Sequence, residues 1–438
     1  MGELLSAIQI FKSFGLGAKK KAAKEEIAQF SLQHNMSYRL DATASNDRWI
    51  GLREWYRHGI KTNGSSAFFI CSDTQSPSYH ALITGNQDKN PLGLKYVQKH
   101  HNIPVSHYVG KDLTSIKHIE TNAIEKLLFH LFCLQISLIC FFTKKKRSNR
   151  ALLIRECIEM ACLLQWVKKE KISHVSFFNP YEIDSNILSL MFQELDIQTT
   201  FIPSIVPLFV HNHHLVCDEL VVTSPYQEEE IVQSFASSIQ FKNLLRWPAE
   251  TLFNVPTKKA IGPNKRVAFY SHGQWLRNAL DRADNGLFAE DSEKQILQWL
   301  KKGVDQKLWE VVIYLHPLEK KHIHKTEDYY LEFFESTAFA WGNRTKSSAH
   351  FFHQESFGIG TLSTVIFERL LAGHKTLLHR NLEDGFPIAK STLNNICFHS
   401  WNELENFWNQ FVTKDNDYFF ETLSLHDYPN YTEVVKNA

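Results

Sequence analysis

Short apolar runs of strand length alternate with longer segments of helical periodicity along the chain. The short runs are rich in β-branched and aromatic residues and end at polar or glycine-containing loops. Strands that alternate with helices predict βαβ units and parallel sheets, so we expect an α/β fold. The predicted strands include 67–73, 103–110, 174–178, 266–270, 309–315, 349–354 and 374–379.

The stretch SFGIGTLSTVIFERLLAG, from 356 to 373, has the pattern of a glycine loop followed by a capped helix. Gly358 and Gly360 give the predicted loop backbone freedom, and Ser363 and Thr364 are suitable N-cap residues. A helix N-terminus presents free N–H groups and the positive end of the helix dipole to an anion. We therefore expect a phosphate site here, with an ordinary capped helix as the alternative interpretation.

Polar residues follow other predicted strands of the second half, at the sheet edge where α/β folds bind ligands. A histidine at a strand exit, held by a following proline, is well placed to contact or protonate a phosphate, although a single such histidine is more often structural. The loop NLEDGFP carries two acids that suit a ribose hydroxyl pair. The candidate ligand-binding residues are Ser271, Gly273, Arg277, His316, Pro317, Lys320, Gly360, Ser363, Thr364 and Glu383.

Two carboxylates of the first half are candidates for a general base. Glu182 and Asp184 follow the strand HVSFF in a predicted loop that extends to Asp184, and Ser185 or Asn186 is expected to cap the next helix. The alternative is that Asp184 only helps to cap that helix.

The chain is long enough for two domains. It has 438 residues, of which 43% are hydrophobic, and this supports two separate cores. Residues 247–264 contain three prolines and little periodicity, which predicts a linker. The predicted domains are therefore an N-terminal unit, 1–246, and a C-terminal unit, 265–438.

The most apolar run is 127–142, and the four basic residues KKKR follow it at 144–147. Sixteen residues are short of the roughly 20 that span a bilayer. Three interpretations stay open: a buried core helix, an interfacial helix anchored by the cations, and a transmembrane span. A lysine cluster at 19–24 is a further candidate contact with an anionic membrane, or simply a solvated helix face.

The composition of the chain argues against some classes of function. The 48 Lys plus Arg balance 47 Asp plus Glu, which argues against a general nucleic-acid binder. Seven scattered cysteines without CxxC or zinc spacing indicate reduced thiols, and the first residues lack the order of a signal peptide. We therefore expect a cytoplasmic protein.

The motifs YSHGQWLR, LHPLEK and GTLSTVIFERLLAG, in this order and at strand ends, resemble the C-terminal half of bacterial GT-B-fold glycosyltransferases. The similarity is strongest to sialyltransferases and related enzymes that use CMP-activated nonulosonic acids (such as pseudaminic and legionaminic acid) or Kdo, and it covers 266–435. That family holds the CMP phosphate and ribose with a His-Pro motif and a Ser-Ser or Ser-Thr motif. His316 with Pro317, and Ser363 with Thr364, match these motifs.

The resemblance implies two Rossmann-like domains whose parallel sheets face a central cleft. It implies metal-independent transfer of a nonulosonic acid or Kdo-type sugar from a CMP-sugar, with His316 assisting CMP departure and Asp184 or Glu182 deprotonating the acceptor. Arg277 or Lys320 would meet the donor carboxylate. The family also carries an acidic-acidic-glycine motif in its first domain; here that triplet occurs only at 383–385, in the second half.

The expected partners are a nucleotide-sugar donor, a glycan or lipid-linked glycan acceptor, and the anionic inner face of the bacterial inner membrane. Neither a cofactor nor nucleic acid is expected. Two alternatives stay open: a CDP-glycerol or CDP-ribitol phosphotransferase of similar fold, and a non-catalytic scaffold of glycan synthesis.

Overall fold

The structure is a computed structural model of the chain. It describes 66–70, 79–83, 110–112, 122–142, 172–177, 183–202, 216–234, 241–246, 264–280 and 434–437, together with 290–431 apart from 336, 362 and 381–390. Leu52 and several helical residues between 158 and 167 are also described. Every structural statement below concerns these residues.

The first sheet has eight described strands in the order β14-β7-β6-β5-β4-β2-β1-β3. Its centre is parallel, from β2 through β4, β5 and β6 to β7. Strand β1 pairs antiparallel with β2 and β3, and β14 pairs antiparallel with β7. The bounds are β1 Ser66–Ile70, β2 Tyr79–Ile83, β3 Gly110–Asp112, β4 Ile172–Phe177, β5 Gln198–Phe201, β6 Glu219–Val222, β7 Asn243–Arg246 and β14 Val434–Asn437.

The second sheet has six described strands, and all of its pairings are parallel. Their order, β10-β9-β8-β11-β12-β13, is 3-2-1-4-5-6 in chain order. This is the order of a doubly wound Rossmann sheet, whose direction of winding reverses between its first and fourth strands. The bounds are β8 Arg266–Tyr270, β9 Glu310–Tyr314, β10 Ala340–Trp341, β11 Phe357–Gly360, β12 Thr376–His379 and β13 Cys397–Phe398.

Ten described helices connect or cover these strands. The longer ones are amphipathic; in the helix 401–411, for example, Leu404, Trp408 and Phe411 are buried at helical spacing. The bounds are α1 Ala123–Phe142, α2 Ile183–Gln193, α3 Pro225–Ser234, α4 Gln274–Ala279, α5 Glu290–Asp305, α6 Pro317–Lys321, α7 Ile323–Phe334, α8 Thr364–Leu371, α9 Trp401–Phe411 and α10 Asn416–Thr422.

The predicted α/β class is confirmed, with two sheets as expected for a GT-B arrangement. The predicted strands at 67–73, 174–178, 266–270, 309–315 and 374–379 correspond to β1, β4, β8, β9 and β12. The domain division at 247–264 stays a prediction. In chain order, β1–β7 belong to the first sheet and β8–β13 to the second, so the change of sheet falls between β7 and β8. The last strand, β14, belongs to the first sheet again.

One predicted loop is a strand. The glycine-containing segment before α8 forms β11, a fully buried central strand, whereas the sequence pattern predicted an open loop. The physical reason is long-range. A Cβ on Gly358 would lie 2.5 Å from Nε of Arg369 and 2.8 Å from Cε2 of Tyr270. The glycine makes room for these two buried side chains, and does not provide loop freedom.

The predicted strand at 349–354 is also wrong, because Ser348–Gln354 forms a 3-10 helix. Its N-cap Ser347 accepts the N–H of Ala349, which starts the turn. The buried residues, Ala349 and Phe352, are three positions apart, and this matches the 3-10 period and not the strand period.

The predicted loop up to Asp184 is too long, since α2 begins at Ile183. Asp184 therefore lies inside the first helical turn. The expected capping by Ser185 or Asn186 is correspondingly wrong, because both positions are helical.

The apolar run 127–142 lies within α1, which is buried on one stripe only. Phe129, Cys133 and Ser137, spaced four apart, are buried. The exposed large apolar residues of this helix are Ile124, Leu127, Leu128, Leu131, Leu138, Ile139 and Phe142. None of the described helices, α1 included, is long and apolar enough to cross a membrane.

Candidate donor-binding site

The candidate site lies where the second sheet reverses its winding direction. Strand β8 is flanked by β9 and β11, and the three are parallel, so their carboxyl ends lie at one edge. Ligands of open α/β sheets bind in the crevice outside such an edge, at the reversal point. Two strand spacings separate the exits of β9 and β11, roughly 10 Å. The predicted residues Ser271, His316 and Ser363 follow these three strands.

His316 is fixed by the start of α6. It is the N-cap residue, its Nδ1 accepts the N–H of Leu318 at 3.1 Å, and its own N–H is accepted by Oε2 of Glu319 at 2.8 Å. Pro317 is the first helical residue, a position that needs no N–H donor. An imidazole whose Nδ1 accepts a hydrogen bond carries its proton on Nε2. Nε2 of His316 is therefore a donor.

A second donor lies beside this one. Nη2 of Arg277, on α4, is 3.5 Å from Nε2 of His316. Two N–H donors cannot satisfy each other, but both can bind the same oxygen of an anion. Burial, followed by the charge of Arg277, lowers the pKa of His316 to about 4. The ring is therefore neutral near pH 7, and an anion between the two groups would raise its pKa again.

The loop after β8 is organised by a buried carboxylate that sequence reasoning missed. Glu293, on α5, accepts the N–H of His272 at 2.5 Å, the N–H of Gln274 at 3.0 Å and the hydroxyl of Ser271 at 3.3 Å. The Ser271 hydroxyl oxygen in turn accepts the N–H of Gly273 at 3.0 Å. The backbone donors of this loop are thus bound within the protein.

Gly273 is required at its position. Its φ of 69° lies in the left-handed region, and a Cβ there would be 3.2 Å from Cβ of His316. The loop can therefore approach His316 closely, and the rings of His272 and His316 lie with centroids 6.1 Å apart. Burial is the main cause that lowers the pKa of His272, to about 3.

Glu319 is the second buried carboxylate of the site. Besides the His316 N–H, it accepts Nε1 of Trp275 at 2.6 Å and the hydroxyl of Tyr330 at 3.1 Å. Burial raises its pKa, and burial together with the charge of Glu319 raises the pKa of Glu293 to about 7. The spacing His-Pro-Leu-Glu is that of a capping box, so a sequence signal for Glu319 existed. No local signal marks Glu293, which lies on an amphipathic helix.

The start of α8 has unsatisfied hydroxyl groups. Ser363 is the N-cap residue, but its side chain makes no capping bond. The Oγ of Ser363 and the Oγ1 of Thr361 are buried without a hydrogen-bond partner among the described residues, and Thr361 is only 5% exposed. Buried hydroxyl groups without partners are costly, which makes a ligand oxygen their natural complement. Thr364, predicted as a partner of Ser363, is the first residue of the helix.

The remaining candidates are placed as follows. Nζ of Lys320 donates to the carbonyl oxygen of Lys346 at 3.1 Å, and burial lowers its pKa. Gly360 is the last residue of β11; a Cβ there would lie 3.1 Å from the carbonyl oxygen of Tyr270 and 3.1 Å from Ile366. Glu383 lies outside the described residues.

The first-half candidates are only partly described. Asp184 lies in the first turn of α2, which follows β4, while Glu182 is outside the described residues. The role of Asp184 as a general base stays a prediction. Within the described part of the chain, no group of three or more His, Cys, Asp or Glu residues is placed to hold a metal ion.

A cavity of about 720 Å³ lies elsewhere, at the amino edge of the first sheet. Its lining includes the buried carboxylate of Asp218, which pairs with Nζ of Lys242 at 2.7 Å and accepts the N–H of Thr199 at 2.8 Å. The carboxylate of Asp218 is thus already paired and hydrogen-bonded within the protein. It lies at the edge opposite to the one that binds ligands in parallel sheets.

No protein-family model and no curated protein matches the chain. Among solved structures, UDP-GlcNAc 2-epimerase from Neisseria meningitidis bound to UDP-GlcNAc is 10% identical, covers 69% of this chain and 84% of its own, and has a TM-score of 0.36. MurG from Acinetobacter baumannii is 10% identical, with coverages of 75% and 87% and a TM-score of 0.36. The wall teichoic acid polymerase TagF is 12% identical, with coverages of 61% and 70% and a TM-score of 0.31.

Proposed function

We propose that the protein is a glycosyltransferase whose second sheet binds a CMP-activated sugar of the nonulosonic acid or Kdo type. The observation that carries this proposal is the set of donors around the end of β8. Nε2 of His316 and the guanidinium of Arg277 lie on one side, and the hydroxyls of Thr361 and Ser363 lie on the other. Such an arrangement suits an anion with several oxygens. The resemblance of the motifs to CMP-sugar enzymes supports CMP as the nucleotide.

The chemistry follows from these groups. The bond between the anomeric carbon and the phosphate oxygen breaks, and CMP leaves with the electron pair. Donors that strengthen as this charge develops stabilise the transition state, so His316 and the start of α8 assist departure. Arg277 or Lys320 binds the carboxylate of the sugar. The acceptor hydroxyl oxygen forms the new bond to the anomeric carbon, and its proton goes to a carboxylate.

For that carboxylate we propose Asp184, with Glu182 as the second candidate. Asp184 lies on the helix that follows β4, a central parallel strand of the first sheet. Asp184→Asn is expected to reduce turnover and leave CMP binding unchanged, because the base contacts the acceptor and not the nucleotide. Wild-type turnover in both Asp184→Asn and Glu182→Gln would remove both residues from this role.

We further propose that the protein works at an anionic membrane surface, where a lipid-linked glycan acceptor would be presented. The exposed apolar face of α1 supports this, since Phe142 is 78% and Leu127 is 59% exposed. The basic residues 144–147 follow the helix directly in sequence. Apolar insertion beside a cationic cluster is the pattern of interfacial helices.

A panel of CMP-sugars, incubated with the protein and an acceptor glycan, tests the activity by release of CMP. We expect release with a CMP-linked keto-sugar acid, and a loss of about 100-fold in His316→Ala, the scale of one lost transition-state donor. Release of CMP from CDP-glycerol or CDP-ribitol instead would favour the phosphotransferase alternative. Failure to bind any cytidine nucleotide would favour a non-catalytic role.

A further inference from the structure

The second sheet has two turns that could bind a phosphate, and they differ in whether they are already occupied. The first turn of a Rossmann sheet, after its first strand, is the usual cradle for a pyrophosphate. Here that turn is 271–274, and each of its three backbone N–H groups from 272 to 274 is accepted by a side-chain oxygen of the protein.

The group that occupies this turn is itself an anion. Both carboxylate oxygens of Glu293 are used, Oε1 by the N–H of His272 and Oε2 by the N–H of Gln274. With Gly273 in the left-handed conformation, the successive N–H groups form the concave arrangement that binds anions. Glu293 is 3% exposed, so its carboxylate holds the position of a ligand phosphate from inside the fold.

The turn after β11, in contrast, is not occupied by a carboxylate among the described residues. No side chain caps the start of α8, an eight-residue helix, and the buried hydroxyls of Thr361 and Ser363 have no partner among the described residues. An arriving phosphate would therefore find free donors at this turn but a carboxylate at the other.

We propose that Glu293 restricts the donor site to a single phosphate group, and this inference rests on the proposed function. A second phosphate would have to displace Glu293 from the amides of 272 and 274, or lie close to its charge. Glu319, which raises the pKa of Glu293 by its charge, adds a second like charge nearby. Like charges in a buried, water-poor environment repel strongly, so Glu293 is a specificity-determining residue.

The test compares the affinities of CMP and CDP by calorimetry at pH 8, where the Glu293 carboxyl is mostly ionised. We expect the wild type to bind CMP at least about tenfold more tightly than CDP, the factor that corresponds to one modest charge repulsion. Glu293→Gln removes the charge and leaves one acceptor oxygen, and should reduce this preference about tenfold. Asp291→Asn, which removes an exposed charge from the same helix, should leave it unchanged.

Hydrogen exchange of the wild-type protein provides a measurement that does not depend on the folding of a variant. Binding of CMP should slow amide exchange in peptides that cover 363–365, the start of α8, where Ser363 makes no side-chain capping bond. Peptides that cover 271–275 should show no change, because side-chain oxygens of Glu293 and Ser271 already accept the N–H groups of 272–274.

The outcomes separate the two proposals. If the wild type binds CMP and CDP equally, or Glu293→Gln keeps the wild-type preference, the inference about Glu293 is wrong while the proposed function stands. The same holds if CMP protects 271–275 from exchange. If the wild type binds neither nucleotide, the proposed function fails and the inference fails with it.

Discussion

At the scale of single residues, Arg369 organises the centre of the second sheet. This arginine is fully buried and donates to the carbonyl oxygens of Phe352, Glu355 and Lys375 and to the hydroxyl of Tyr270. A buried guanidinium is tolerable only when its donors are satisfied. These four acceptors come from three separate segments, so the side chain has one position and the backbone around it must leave room.

Gly358→Ala is therefore expected to destabilise the protein by about 2–3 kcal/mol, the usual cost of overpacking a core that cannot adjust. The added Cβ meets Arg369, whose partners prevent it from moving. Gly360→Ala on the same strand is the matched control and should cost less, because a Cβ there approaches Ile366 and the carbonyl oxygen of Tyr270 only to 3.1 Å. Chemical denaturation of both variants measures the difference, and equal losses would contradict the role of Arg369.

The buried carboxyl group of Glu293 should make the free energy of unfolding depend on pH. Its pKa of about 7 in the folded protein lies above the ordinary value of 4.5, because the charged form is buried. A raised carboxyl pKa gives stability that is complete below the unfolded pKa and is lost as pH rises through the folded one. Relative to Glu293→Gln, the wild type should lose on the order of 3 kcal/mol between pH 4.5 and pH 8.

This difference is measured by denaturation of both proteins across that pH range. Histidines with lowered pKa values, such as His374 and His379, titrate in both proteins and cancel in the comparison. Asp291→Asn, an exposed site on the same helix, is the matched control for the loss of a carboxyl group from α5. A flat difference for Glu293→Gln would mean that its carboxyl has an ordinary pKa.

At the scale of elements, the start of α8 allows an effect on ligand affinity to be distinguished from an effect on the free energy of unfolding. Ser363 is an N-cap residue without a capping bond, and its hydroxyl is buried without a partner among the described residues. Ser400 is an ordinary N-cap, which accepts the N–H of Glu403 at the start of α9. The two serines occupy the same structural position and should respond differently to removal of the hydroxyl.

Ser363→Ala is expected to leave the free energy of unfolding unchanged or to raise it slightly, since no hydrogen bond is lost. CMP affinity should nevertheless fall by about tenfold, the value of one hydrogen bond to a charged group. Ser400→Ala should show the reverse, a loss of about 1 kcal/mol of stability with unchanged CMP affinity. Calorimetry and denaturation of both variants check this, and a stability loss in Ser363→Ala would identify it as a structural cap.

The elements also show what the sequence could predict. The strand exit at His316 and the helix start at Ser363 were predictable, because local periodicity and capping residues define where a strand ends and a helix begins. Strand β11 was not, since Gly358 makes room for the side chains of Arg369, on the following helix, and Tyr270, on another strand. The role of Glu293 could not be predicted from the sequence either, because this residue lies on an ordinary amphipathic helix. The fold places its carboxylate against a turn about twenty residues away, where it accepts two backbone N–H groups.

At the scale of the whole molecule, the two sheets are joined by side chains as well as by the chain. Glu229 on α3, which follows β6 of the first sheet, accepts the hydroxyls of Ser391 and Thr392 from the second half. The ring of Tyr226 on the same helix packs 5.5 Å from that of Phe367 on α8. The helix that contains the proposed phosphate-binding start thus contacts the first half through its buried face.

The exposed face of α1 gives the last prediction, which concerns the attachment of the whole molecule to lipid. The protein should co-float with vesicles rich in phosphatidylglycerol, and added salt should weaken this by screening. Replacement of residues 144–147 by Gln should lower the affinity by up to about 1,000-fold, since each of the four cations near the surface contributes about 1 kcal/mol. Leu127→Gln with Leu131→Gln should also weaken binding, by removing apolar insertion.

Leu331→Gln is the matched control for that pair, because Leu331 is a similarly exposed leucine, 54% accessible, on α7 of the second half. It should float as the wild type does. Neutral phosphatidylcholine vesicles should bind the protein weakly, since the cations then have no anionic headgroups to meet. If the wild type does not bind the anionic vesicles at low salt, or if Leu331→Gln weakens binding as much as the α1 pair, then α1 is not the membrane-contacting surface.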